Sequence, residues 1–179
     1  MSHFKNPIFL IANTIEQVQK YIQNIDISKI TAFFTDDYEN IKGENIISPL
    51  IGLYTAFKEL HHLNYQFAFI FSCDNPFLSK NVIKFMLEQI AYNDACIPIW
   101  NNNYVEPLFA IYKIAPFLKR AREKIKHKSF KLSELLDPIK MKIKYVSIEN
   151  EIKLLDHKLK SFINLNVPED LSKLSYSQK

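Results

Sequence analysis

The run FAFIFSCDNPF (residues 67–77) passes from an apolar strand pattern into a single carboxylate, Asp74, and a proline turn. A short apolar run bounded by turn residues reads as a strand buried within a sheet. Similar runs lie on either side of it, with helical periodicity between them. PIFLIAN (7–13), closed by Asn13, predicts a strand buried on both faces. Thr14 can then cap TIEQVQKYIQNI, in which Ile15, Val18, Tyr21, Ile22 and Ile25 recur at helical spacing. KITAFF (29–34) predicts a second strand ended by Thr35, Asp36 and Asp37, and PLIGLYTAFKEL (49–60) a helix with Pro49 in its first turn. SKNVIKFMLEQIAY (79–92) follows as a helix that Ser79 can cap, and ACIPIW (95–100) as another strand. This alternation predicts an α/β architecture: a doubly wound, mostly parallel sheet with crossover helices.

Further along, APFLKRAREKI (115–125) predicts a helix, residues 130–136 a short one, and LSKL (171–174) another near the end. MKIKYVSI (141–148) alternates Met141, Ile143 and Tyr145 with Lys142 and Lys144, as an edge strand with one wet face does. Three asparagines after Trp100 predict a mobile loop able to lie over a substrate, and equally have the composition of an ordinary turn.

The chain has 179 residues, 47% apolar and 13% aromatic, enough for a substantial core, and 1–179 is expected to form a single domain. No apolar run approaches the ~18–20 residues of a membrane-spanning helix, and MSHFKNPIFLIAN lacks the parts of a signal peptide. The expectation is a cytoplasmic protein without a membrane partner. Cys73 and Cys96 have no CxxC pairing and no ligand-spaced histidine, so both are expected to be buried free thiols rather than a zinc site or a disulfide. His3, His61, His62, His127 and His157 show no HExxH spacing, and Ser72 lacks the GxSxG turn of an esterase. Residues 119–160 hold thirteen Lys/Arg against six Asp/Glu, a net of +7, while the remainder nets −3. That segment reads either as a solvated face of lysine-rich helices or as an attractor for a phosphorylated ligand or acidic partner. Without aromatic platforms or a recognisable motif it does not predict nucleic-acid binding.

In open parallel sheets ligands bind beyond the carboxyl ends of strands, where Asp74 stands. A carboxylate there suits Mg²⁺, which takes one or two protein carboxylates and completes its shell with water and phosphate oxygens. It equally suits a loop aspartate that accepts turn hydrogen bonds or caps the next helix. Position alone does not choose.

SPLIGLYTAF (48–57), FIFSCDNPFLS (69–79), VEPLFAIY (105–112) and FINLNVPEDL (162–171) stand in the order of four motifs, GPLxGI, CDMPF, EPLFALY and FxNINTPEDL. In these the chain resembles the molybdenum cofactor guanylyltransferases, the MobA family. The resemblance implies a Rossmann-like, nucleotide-diphospho-sugar-transferase-like domain that joins the GMP part of GTP to molybdopterin with Mg²⁺, releasing pyrophosphate. It makes Asp74 the metal-binding and catalytic aspartate, and Ser48, Pro49, Leu50 and Gly52 a wall beside the nucleotide, with serine in place of the usual glycine. Glu106 and Pro107 fall on the substrate side, and Asn164 and Asn166 on a closing segment. Each also has a plain structural role open to it: helix start for Pro49 and Gly52, ion pairing for Glu106, turn satisfaction for the asparagines.

The family's opening motif, LAGGxSxRMGxxK, whose backbone N–H groups and basic side chains hold the triphosphate, has no counterpart here. The only glycines are Gly43 and Gly52, and MSHFKNPIFLIAN aligns with the family's second strand, so an N-terminally truncated form of the fold is expected. Two functions follow from the resemblance: a guanylyltransferase acting on GTP and molybdopterin, with molybdenum-insertion or molybdoenzyme proteins as further partners, or a catalytically degenerate relative that binds the cofactor or a partner without nucleotidyl transfer.

Overall fold

The computed structural model describes residues 6–37 and 48–165. In chain order the elements are β1 (Phe9–Ala12), α1 (Ile15–Asn24), β2 (Ala32–Thr35), α2 (Pro49–His62), β3 (Phe67–Phe71), α3 (Lys80–Ile90), β4 (Ala95–Ile99), β5 (Phe109–Lys113), α4 (Ile114–Lys126) and β6 (Ile143–Ser147), with short 3-10 turns between some of them. They fall into two compact units, one of residues 1–66 and 114–136, the other of 67–113 and 137–179. The expected helix at 171–174 lies outside the described residues. No helix among the described residues is long and apolar enough to cross a membrane.

In the first unit β1 and β2 pair in parallel, Phe9 opposite Ala32 and Ala12 opposite Thr35, joined through α1. Thr14 caps α1 as expected, its hydroxyl accepting the Gln17 N–H at 3.3 Å. The strand reading holds but the burial reading does not: only Ala12 of β1 is fully buried, and of the α1 stripe only Val18. Ile15 stays 56% exposed, because a two-stranded ladder of four-residue strands is too narrow to cover the whole stripe. Helix α2 is buried over most of its circumference through Leu50, Ile51, Leu53, Tyr54, Thr55, Ala56, Phe57 and Leu60. It packs on α4, with the Phe57 and Phe117 rings 6.1 Å apart. Part of the basic segment has a structural task here: Arg120 donates to the carbonyls of Glu134 and Leu135, and Lys124 pairs with Glu134 at 2.7 Å, tying α4 to the turn after it.

The second unit carries a four-stranded sheet in the order β3-β5-β4-β6. Strands β3, β4 and β6 run in one direction; β5 runs against its neighbours β3 and β4. The reason is connection length. Residues 100–108 separate β4 from β5, too few for the crossover of a dozen or more that a parallel neighbour requires. The last residue of β3, Phe71, therefore stands opposite the first of β5, Phe109. In one register this sets the loops after β3 and β4 and before β5 at the same end of the sheet, the carboxyl end of the parallel strands.

Strand β6 ends the sheet as its alternation predicts, yet Val146 and Ile148, in phase with Lys144, are fully buried. The core under this sheet joins Val82, Met86 and Ile90 of α3 to Cys96, Phe109, Ile111, Val146, Ile148 and Ile152. The expectation for the cysteines is corrected at one position: Cys96 is buried, its thiol pushed up to about 12 chiefly by burial, but Cys73 is exposed. Cys73 stands two residues past the end of β3, in the turn that follows the strand. Phe109 sits at the centre, its ring 5.2 Å from Phe69 edge to face and 4.8 Å from Phe162. Phe109→Ala is expected to cost ~3–5 kcal/mol, measured as a shift of the urea midpoint at unchanged slope.

Candidate functional site

Asp74 follows β3 by three residues, in the turn Ser72 to Asn75 closed by an Asn75 N–H bond to the Ser72 carbonyl at 3.3 Å. Its Oδ1 is buried and has no hydrogen-bond partner among the described residues. A carboxylate oxygen left in that state forfeits ~1–3 kcal/mol or more of desolvation, which a cation would restore. Among the described residues no group of three or more His, Cys, Asp and Glu side chains could hold a metal. A lone carboxylate of this kind would suit a hard cation that keeps most of its shell for water and phosphate oxygens, as Mg²⁺ does.

Residues 156–165 lie against this turn. The Leu165 N–H donates to the Asp74 carbonyl at 2.9 Å, and Asn75 Nδ2 donates to Asn164 Oδ1 at 2.7 Å and to the Ser161 carbonyl at 3.3 Å. Ser79 holds the N-cap position of α3 without a side-chain cap bond; its N–H instead donates to the buried Ser161 hydroxyl at 3.1 Å. Thus Asn164, expected on a closing segment, is brought to the Asp74 turn, while Asn166 lies outside the described residues.

Glu106 stands two residues before Leu108 at the same end of the sheet, in the loop that enters β5. Its Oε1 accepts the Trp100 indole N–H at 2.7 Å, and its backbone N–H donates to the Pro98 carbonyl at 3.0 Å. The ion pair considered for it from sequence is replaced by this indole bond. Burial pushes the Glu106 carboxyl above its ordinary value, opposed in part by the Trp100 bond. The Pro107 carbonyl accepts the hydroxyl of fully buried Tyr112 at 2.7 Å. The Trp100 ring meets the Phe162 ring edge to face at 5.6 Å, so packed contacts run from the Asp74 turn through residues 161–164 to Trp100 and Glu106. Asn101–Asn103 form a turn: Asn103 takes φ 66, which asparagine tolerates better than most residues, its N–H donates to the Trp100 carbonyl at 2.9 Å, and the Asn101 N–H donates to Glu149.

Ser48, Pro49, Leu50 and Gly52 all belong to the start of α2 in the first unit. Ser48 is its N-cap, accepting the Leu50 N–H at 3.2 Å and donating to the Phe130 carbonyl at 2.8 Å. Leu50 is wholly buried. A Cβ at Gly52 would meet Asp36 Oδ1 at 3.5 Å and Ile11 Cγ2 at 3.8 Å, ordinary contacts.

Sequence reasoning did not single out Asn75, Ser161, Trp100 or Asp156. The available signal was the asparagine of CDNPF where the resemblance has methionine; for the others only the tertiary contacts identify them. Glu106→Gln keeps the acceptor for Trp100 and removes the charge that burial disfavours. Because the folded carboxyl titrates above its unfolded value, its contribution is full at low pH and is lost as pH rises through the folded value. Glu106→Gln is therefore expected to melt higher than the parent at pH 7, with the difference vanishing below pH ~4, as followed by circular dichroism.

With this geometry in hand, relatives are informative. The model of the MobA-like NTP transferase domain matches residues 3–137. A protein named "probable molybdenum cofactor guanylyltransferase" in Natranaerobius thermophilus is 34% identical over 127 residues, 69% of this chain and 58% of that protein. One of the same name in Methanosarcina mazei is 31% identical over 129 residues, 70% of this chain and 54% of that protein. The chain thus covers little more than half the length of these relatives. The crystal structure of molybdopterin-guanine dinucleotide biosynthesis protein A from Archaeoglobus fulgidus superposes with a TM-score of 0.70 at 21% identity, covering 94% of this chain and 77% of that one; it shares the fold. By the matched domain and these relatives, the chain belongs to the MobA-like NTP transferase family.

Proposed function

We propose that this chain, acting as one nucleotidyltransferase-like domain over 1–179, transfers GMP from GTP to molybdopterin. The observation that carries the reading is the buried, unpartnered Oδ1 of Asp74 beyond the end of β3; relatives bearing a guanylyltransferase name support the substrate class. In the reaction the terminal phosphate oxygen of molybdopterin attacks the α-phosphorus of GTP. The bond from that phosphorus to the bridging oxygen breaks, and pyrophosphate leaves with the electron pair. Mg²⁺ held at Asp74 would neutralise charge on the phosphate oxygens. The tasks left to the chain are positioning and charge placement, which dominate such transfers. Asp74 holds the cation, with Glu106, Pro107, Asn164 and Asn166 on the molybdopterin side and Ser48, Pro49, Leu50 and Gly52 along the nucleotide. Molybdenum-insertion or molybdoenzyme proteins are the natural recipients of the product.

A second reading, a relative that binds cofactor or partner without transfer, is favoured by one observation: Ser48, Pro107 and Asn164, which the resemblance assigns to substrates, each already hydrogen-bond within the fold. Titration of the 179-residue chain with GTP and excess Mg²⁺ separates the two. The transferase reading expects binding that Asp74→Ala weakens at least tenfold together with GMP transfer to molybdopterin; a folded chain that binds no Mg²⁺·GTP would favour the second. Gly52→Ala adds a finer test. Its methyl group fits and removes a helix-interior glycine, so stability should rise by ~0.5–1 kcal/mol. If α2 lines the nucleotide, GTP affinity should fall all the same, a combination that a purely structural glycine would not give.

A further inference from the structure

We propose that Asn75 is a positioning residue: it ties the Asp74 turn to residues 156–165, so that cation binding at Asp74 depends on the seating of that segment and is transmitted to Trp100 and Glu106. The proposal rests on the guanylyltransferase reading of Asp74.

Residues 156–165 are fixed from two directions. On their own side, the Asp156 carboxylate accepts the N–H groups of Lys160 at 3.1 Å and Ser161 at 2.8 Å. Leu159 there takes φ 48, a conformation that costs a non-glycine residue ~1–2 kcal/mol and persists only where the surroundings hold it. On the other side, the Asn75 carboxamide donates to both Asn164 Oδ1 and the Ser161 carbonyl, spanning 86 to 89 residues of sequence. Only a side chain with two N–H donors on one nitrogen and a short stem can make this pair of bonds. Aspartate has no donor, and the methionine of the family motif has neither donor nor matching shape.

The tie acts on the carboxylate because Asn75 is its immediate neighbour and the Asp74 carbonyl is itself bonded to Leu165. A ligand oxygen for Mg²⁺ must stand ~2.0–2.1 Å from the ion, so a turn released by a fraction of an ångström loses affinity without unfolding. Between Asn75 and Glu106 the path is continuous. Ser161 precedes Phe162, whose ring meets Trp100, and the Trp100 indole holds Glu106. The chain's only tryptophan therefore reports on this segment.

The test titrates Mg²⁺·GTP into the full chain, with calorimetry for affinity and Trp100 emission as a second signal. The parent is expected to bind with a change in emission. Asn75→Ala should weaken binding by about five- to tenfold, the loss of one part-buried and one exposed hydrogen bond, and abolish the emission change. Asn164→Ala, which removes one of the two bonds from the far side, should show smaller losses in the same direction, and the double variant no more than Asn75→Ala alone. Should Asn75→Ala fail to fold, Asn164→Ala carries the test alone. Parent-like affinity and emission in a folded Asn75→Ala or Asn164→Ala chain, or losses that simply add, overturn the tie while leaving the reading of Asp74 standing. A folded parent that binds no Mg²⁺·GTP overturns the reading and the tie with it.

Discussion

The reversed direction of β5 is the constraint on which the second unit depends. Nine residues cannot carry the chain from the end of β4 back to its beginning, so β5 enters from the carboxyl end and runs against both neighbours. Its residues Phe109 to Tyr112 are buried, as a strand flanked on both sides and covered on both faces must be. Because Phe109 is opposite Phe71, the loop that carries Glu106 and the turn that carries Asp74 emerge side by side. A parallel β5 would have placed Glu106 at the opposite end of the sheet from Asp74.

What the sheet brings to one end, residues 156–165 hold there. Their contacts are of two kinds, backbone N–H groups given to Asp156 and side-chain bonds received from Asn75, with Phe162 packed between Trp100 and Phe109. The hydrophobic part supplies affinity for the core and the polar part supplies register, since only one seating satisfies Ser161 on both its N–H and its hydroxyl. Against this background the buried Oδ1 of Asp74, without a hydrogen-bond partner among the described residues, stands out. In this turn the Ser72 and Asp74 carbonyls, the Asn75 N–H and the Asn75 carboxamide nitrogen have partners, and the Asp74 oxygen is the atom that the proposed cation would satisfy.

Several residues that the resemblance assigns to substrates also have demonstrable work in the fold. Ser48 caps α2 and ties it to Phe130, Leu50 is core, Pro107 offers its carbonyl to Tyr112, and Asn164 completes the bond from Asn75. A position that shapes a helix start or a turn is held rigid by that task, and rigidity is what a ligand-facing group requires. Gly52 differs: its surroundings would admit a Cβ, so the fold itself does not demand glycine there.

The sequence by itself determined the kinds of element and nearly all their places. Apolar runs marked β1 to β4, helical spacing marked α1 to α4, and Thr14 and Pro49 marked two helix starts, because burial on a period of two or 3.6 is written locally. It also placed Asp74 at a strand end and, through four ordered motifs, the family. It did not show that VEPLFAIY contains a reversed strand, although the short spacing from ACIPI was a usable signal. Nor could it show that Cys73 is exposed, that α1 is only partly covered, that Glu106 bonds an indole, or that Asn75 joins Asn164 across 89 residues. Those facts depend on which surfaces meet after the chain has folded back, and contacts between distant residues leave no periodic trace in the sequence of either partner.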